Sequence, residues 1–216
     1  MPQPVSVISR TKNESKTLPS LVAGVRAALR AHDSEVIIID DASSDGTYEL
    51  ASRLADVVIS KKWVQRSEMP VPGIDNAKYP VVITIDADLE NDPSEIPRLL
   101  RKLENGYDII VASRPRIPRF SERAFSATIG KQIGVSDVLS GFRAMRKDRV
   151  VSIRVGMHET FGAEFLIRAY KQGLRVGELE VKETPRRSQS RYGGPLRVNL
   201  RIFKALFICL AIWFSG

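Results

Sequence analysis

Short β-branched runs alternate with helix-period segments through the first half of this chain, and that rhythm limits its fold more than any other feature. Val5–Ser9, Glu35–Ile39, Val57–Ser60, Val81–Ile85 and Asp108–Ala112 read as strands. Between them, Lys16–Ala31 sets Leu18, Leu21, Val22, Val25 and Leu29 on one helical face. Thr47–Ala55 and Pro93–Asn105 read as further helices, the latter with proline in its first turn. The run ending at Ile39 is apolar throughout, as expected of a strand covered on both faces. The pattern predicts an α/β fold: a mostly parallel sheet with helices on both faces, where ligands bind at the carboxyl ends of strands. The second half is less regular, with a helix expected over Phe161–Gln172, a strand over Leu174–Val181 and a final helix over Leu196–Phe214. No internal repeat or linker divides the 216 residues, a length that suits one domain.

Composition narrows the chemistry. At 43% hydrophobic and 27% charged residues the chain is globular, which excludes disordered and low-complexity classes. One cysteine and two histidines cannot build an intrachain disulfide or a thiolate zinc centre, so a metal here would be held by oxygens. The first residues show no basic region leading into an apolar one, and a reducing cytoplasmic setting is expected. The net charge is +8, of which +6 falls within residues 184–216: Arg186, Arg187, Arg191, Arg197, Arg201 and Lys204, with no acid among them. A second basic stretch, Arg114, Arg116, Arg119 and Arg123, is opposed only by Glu122. Charge so localised predicts an anionic partner: nucleic acid, phosphate groups or a membrane surface.

Three strand ends carry acids or bases: Asp40-Asp41, Asp86-Ala87-Asp88 and Ser113-Arg114. On an extended segment Asp86 and Asp88 would face one point, with Glu90 as a third oxygen donor. Such carboxylates beside a diphosphate make a hard-cation site for magnesium or manganese, which would stabilise the diphosphate as a leaving group. A solvated acidic turn, with Asp92 capping a helix at Pro93, is the plainer alternative. Asp41 is costly to bury without a partner and could accept from a nucleobase N–H. Asp40 or Asp45 is expected to cap the Ser43–Gly46 turn instead.

In this order the residues resemble a family-2 glycosyltransferase of the GT-A fold, nearest its dolichyl-phosphate mannosyltransferase-like subgroup. Thr11–Glu14, the Ile37–Thr47 run IIIDDASSDGT, Thr84–Leu100 with its D-A-D-L, Val111–Arg114, Asp137–Arg146 and Phe161–Val181 carry the likeness, which spans Val5–Gly193. The resemblance implies a catalytic domain over 1–195 that holds a nucleotide sugar against Arg10, Lys12, Glu14, Ile39 and Asp41. Asp86, Ala87 and Asp88 would lie at the diphosphate, with Asp86, Asp88 and Glu90 around Mg2+ or Mn2+. Arg114, Arg186 and Arg191 would bind phosphate. It further implies a polyprenyl or dolichyl phosphate acceptor and inversion at the glycosyl carbon, GDP-mannose being the first expectation for the donor. A UDP-sugar, a hydroxyl acceptor, or both stand as the alternative.

A lipid phosphate is already anionic and attacks without a strong base; it needs arginines, such as Arg114, Arg123, Arg186 and Arg191, to bring two anions together. Asp88, Arg114, Arg123 and Asp137 are therefore the candidate catalytic residues. Asp137 could orient an arginine such as Arg143, whereas a hydroxyl acceptor would use an acid near this place as general base. The chain departs from the family where Arg10 and Lys12 replace the usual Pro and Tyr. It also lacks the usual helix motif over Lys61–Pro80, and carries Trp63, Pro70, Pro72 and Gly73 there. Residues 183–194 are expected to form a loop over the substrates. In the tail (196–216), Arg197, Arg201 and Lys204 form one basic helical stripe ahead of ten apolar residues, Ala205–Phe214. Ten residues rise about 15 Å, half of a hydrocarbon core, so an interfacial helix at the cytoplasmic membrane surface is expected. The start of a transmembrane segment, and a helix packed on the sheet or in a homo-oligomer, remain the alternatives. A non-catalytic nucleic-acid-binding protein is the rival of another class; against it, Tyr192 is the one aromatic residue within Arg186–Arg201. No nucleic-acid partner is therefore expected.

Overall fold

The computed structural model describes residues 2–62, 70–156, 159–160, 162–182 and 195–215. Among them seven strands form one sheet: β1 (Val5–Thr11), β2 (Ser34–Asp40), β3 (Val57–Ser60), β4 (Val81–Asp86), β5 (Ile109–Ser113), β6 (Arg143–Arg146) and β7 (Val176–Glu180). Their spatial order is β3-β2-β1-β4-β6-β5-β7. Every pairing is parallel except that β6 runs antiparallel to both β4 and β5.

Helices cover both faces because the central strands are apolar on both. Val36 and Ile38 point to one face, Ile37 and Ile39 to the other, and all four are buried. The first face is closed by α1 (Leu18–Ala28), α2 (Thr47–Leu54) and α4 (Ile96–Glu104), the last entered through a 3-10 turn at Pro93–Glu95. Asp92 caps that turn, its carboxylate accepting from the N–H of Ser94 at 2.8 Å. The second face is closed by α3 (Pro70–Asn76), α5 (Phe120–Phe125), α6 (Lys131–Ile133), α7 (Lys147–Val150), α8 (Ala163–Lys171) and α9 (Pro195–Phe214).

Five elements escaped the sequence reading, β6, α3, α5, α6 and α7. Strand β6 has only four residues, two of them arginine, but Ala144 and Met145 enter opposite cores. Helix α3 forms despite Pro70, Pro72 and Gly73, which corrects the expectation of a helix-free segment. Both prolines sit in the first turn, where N–H groups have no intrahelical acceptor. Gly73 lets α3 lie against the sheet, since a Cβ there would stand 2.6 Å from Ile8 Cγ2 and 2.9 Å from Ile39 Cδ1. Helix α5 continues through a π-turn (Ser126–Gly130) into α6, and the buried Phe125, Ile129 and Ile133 give it the i, i+4 spacing that marks it in retrospect.

Helix α9 is part of the body. Val198, Ile202, Ala205, Leu206 and Cys209 join the second core, while Arg197, Arg201 and Lys204 lie exposed as one stripe. Burial, then the charge of Glu164, pushes the Cys209 thiol up to about 12, so it acts as a small apolar side chain. Among the described residues no helix is long and apolar enough to cross a membrane.

Candidate active site

The sheet order reverses at β1, which has β2 on one side and β4 on the other, so a crevice opens outside the carboxyl ends of these strands. Three turns form its rim, after β1, β2 and β4. Each holds one non-glycine residue in the left-handed region: Asn13 (φ 55°), Ala42 (φ 48°) and Leu89 (φ 60°). Asparagine tolerates that conformation, whereas alanine and leucine lose on the order of 1–2 kcal/mol in it. Strain of this kind gathers at ligand sites.

The first two turns are stitched together. Lys12 Nζ donates to the carbonyls of Asp41 and, at 2.9 Å, Ala42. The Asn13 N–H donates to Ser43 Oγ at 2.9 Å, and the Ser44 N–H to Asn13 Oδ1 at 3.0 Å. The Glu14 N–H donates to Thr47 Oγ1 at 2.8 Å, while Thr17 Oγ1 donates to Glu14 Oε2 at 2.8 Å. Asp40 is the structural member of its pair. Fully buried, it accepts from Thr11 Oγ1, from both the N–H and hydroxyl of Ser43, and from Ser60 Oγ. Asp45 caps the same turn; desolvation raises its pKa, but hydrogen bonds from Thr47 and Ser15 prevail and hold it at about 2. Asp41 is left at the crevice, 7% exposed, its N–H on Thr11 O at 3.0 Å. The side chains of Ile39 and Ala87 are buried in opposite cores, so only their backbones can meet a ligand.

The geometry after β4 corrects one expectation. The strand ends at Asp86, and Ala87–Glu90 turn rather than extend, so Asp86 and Asp88 do not alternate along a strand. Asp88 Oδ1 accepts from the Glu90 N–H at 3.1 Å. Asp86 Oδ1 accepts from Arg10 Nη2 at 2.7 Å. Its other oxygen lies against Gly141, where an added Cβ would fall well inside van der Waals distance. Among the described residues no three of His, Cys, Asp and Glu converge to hold a metal ion, so Asp86, Asp88 and Glu90 do not form a preassembled triad. The oxygens are nevertheless of the right class for a hard cation, and magnesium commonly takes one or two carboxylates plus substrate phosphates.

The basic side of the site is a neutralised network. Arg114, next after β5, grips Asp137 with two nitrogens, Nε at 2.6 Å and Nη2 at 3.1 Å, and Nη2 also reaches Glu122 Oε2 at 3.2 Å. Asp137 is 2% exposed and Glu122 6%. Glu122 also takes Arg119. Asp137 thus orients Arg114, not Arg143 as the sequence suggested. Arg143, itself buried, donates instead to the carbonyls of Ser140 (2.9 Å), Gly162 (3.2 Å) and Val138 (3.1 Å). Burial, then the charge of Arg10, pushes its pKa down to about 10 against the opposing pull of Asp86 and Asp137. Arg123 is exposed on α5. Arg186 and Arg191, with the loop expected over 183–194, lie outside the described residues. Sequence reasoning gave no role to Gly141 or Glu122. The glycine between Ser140 and Phe142 was the available signal for the first, and the lone acid among four arginines for the second.

Residues 6–168 match the model of Glycosyl transferase family 2. The undecaprenyl-phosphate 4-deoxy-4-formamido-L-arabinose transferase of Aeromonas hydrophila is 31% identical over 91% of this chain, and that of Edwardsiella ictaluri is 31% identical over the same share. The chain spans 65% of the length of each. Among solved structures, glucosyl-3-phosphoglycerate synthase from Mycobacterium tuberculosis with phosphoglyceric acid superposes with a TM-score of 0.78. The superposition covers 97% of this chain and 79% of that one at 18% identity. The same enzyme with Mn2+, UDP-glucose and phosphoglyceric acid gives 0.78 over 99% and 82% at 19% identity. These likenesses establish a GT-A fold.

Proposed function

The chain belongs to glycosyl transferase family 2, and from that premise we propose that it moves a sugar from a nucleotide diphosphate to a polyprenyl phosphate with inversion. The observation that carries the choice of acceptor is the state of Asp137. Buried and gripped by two nitrogens of Arg114, its carboxylate is committed to holding that arginine, and an anionic acceptor needs no general base. The relatives named for undecaprenyl phosphate agree with this reading. For the donor we favour a UDP-linked sugar over the GDP-mannose first expected. The curated relatives are named for a formamido-arabinose, and other structures of the solved neighbour, glucosyl-3-phosphoglycerate synthase, hold UDP or UDP-glucose.

In this reading Asp41 accepts from the base, and Glu14 and Lys12 fix the turns that present it. Magnesium or manganese, when bound, would be held by Asp88 together with diphosphate oxygens and would neutralise the leaving group. Arg114 keeps its guanidinium plane fixed between Asp137 and Glu122, with Arg123 exposed nearby in sequence to meet the acceptor phosphate. The outer face of α9 supports a membrane partner: Leu196, Leu200, Phe207 and Phe214 are exposed beside Arg197, Arg201 and Lys204, and Phe203 meets the exposed Phe120 at 6.0 Å. Apolar side chains flanked by cations suit an anionic headgroup layer.

The test is incubation with polyprenyl phosphate, manganese or magnesium, and labelled UDP- and GDP-sugars. A lipid-linked product from a UDP-sugar is expected. No product from any donor, with the protein folded, would overturn the proposal.

A further inference from the structure

Arg10 and Asp86 are register partners on β1 and β4, the last rung of that pairing, so the sheet and not a loop sets their approach. Both are about one-third exposed, 33% and 31%, and their 2.7 Å contact occupies Oδ1 while Gly141 crowds Oδ2. Arg143 stands two residues back on the other side of β4, paired in register with Thr84, and each of its three side-chain nitrogens donates to a backbone carbonyl. Arg10, Asp86 and Arg143 together line the polar end of a cavity of about 50 Å³, whose other walls include Val71, Ile74 and Phe165. Asp86 therefore pairs with one guanidinium and lies within the electrostatic reach of a second, beside apolar walls that weaken screening.

We propose that Arg10 is a built-in counter-cation for Asp86. It withholds that carboxylate from divalent cations, so the protein takes up the cation only together with the donor diphosphate. The inference rests on the reading that the crevice holds a nucleotide diphosphate. A lone divalent cation meets a site whose nearest strand-end carboxylate is already neutralised and whose neighbour Arg143 repels it. The diphosphate supplies the missing negative charge, and cation and arginine then share one anion rather than compete for one carboxylate.

The experiment is Mn2+ titration followed by electron paramagnetic resonance, without nucleotide and then with UDP or GDP, on wild type, Arg10→Met and Arg10→Lys. Melting by circular dichroism confirms folding, and Arg10→Gln replaces the methionine variant if that one is unstable. Without nucleotide, Arg10→Met is expected to bind Mn2+ at least about tenfold tighter than wild type, while Arg10→Lys stays near wild type. Equal affinity of wild type and Arg10→Met, or a lysine variant as tight as the methionine one, would overturn the role of Arg10. With nucleotide, wild-type affinity is expected to rise at least about tenfold. No response to either nucleotide in any variant would count against the proposed function, whereas the nucleotide-free comparison judges Arg10 on its own.

Discussion

Replacing Asp137 by Asn separates a positioning acid from a catalytic base. The carboxylate takes Arg114 Nε at 2.6 Å and Nη2 at 3.1 Å, and the amide keeps one acceptor while turning an NH2 towards a donor. Breaking a buried ion pair costs about 3–5 kcal/mol. Arg114 is 24% exposed and has Glu122 at 3.2 Å as a second partner, so the cost falls to just below that range, about 2–3 kcal/mol. For a chain of this size each kcal/mol shifts Tm by about 2–4 °C, giving a fall of roughly 5–10 °C. Transfer to polyprenyl phosphate should survive at about one-tenth of the wild-type rate, because Arg114 is displaced but no proton acceptor is lost. Loss of a general base would remove about 10²–10⁴-fold and erase the acid limb of the pH–rate profile. The assays are thermal melting and transfer rates from pH 5 to 9. A variant with wild-type Tm, a rate below one-thousandth and no acid limb would refute the argument and restore the hydroxyl-acceptor reading.

Asp40→Ala strands hydroxyl and N–H donors from Thr11, Ser43 and Ser60, and should lower stability by about 3 kcal/mol in urea unfolding. Asp45, with its pKa depressed from 3.8 to about 2, contributes stability that is present above pH 4 and disappears as pH falls from 4 towards 2. Asp45→Asn should flatten that part of the acid-unfolding curve. Gly141→Ala drives a methyl group into Asp86 and should weaken UDP binding by about tenfold or more while the fold persists; titration calorimetry with unchanged affinity would contradict the packing described. Phe207→Ser, 70% exposed in wild type, should reduce sedimentation with anionic vesicles without moving Tm, and equal sedimentation would remove the membrane-facing role of α9.

What could be read from sequence divides along a physical line. Strands such as Val36–Ile39 announce themselves because both faces are buried and every position is apolar. Strand β6 does not, because Arg143 and Arg146 are tolerated by side-chain bonds to the sequence-distant carbonyls of Gly162 and Tyr107. The capping duties of Asp40 and Asp45 were legible, since turn residues bond to near neighbours. The partner of Asp137 was not: Arg114 is 23 residues away, and only the sheet brings them together. Likewise the D-x-D spacing was legible but its direction was not, because it hinges on where β4 ends and on Leu89 turning left-handed.

Those left-handed turns carry a consequence for binding itself. Glycine at Ala42 or Leu89 would relieve the strain, yet glycine would also let each turn wander among several shapes. Side chains at these positions, with the hydrogen bonds that tie the first two turns together, confine the rim to one shape before any ligand arrives. A nucleotide entering such a crevice gives up its own freedom but takes little from the protein, so ordering of the rim contributes little to the free energy of capture.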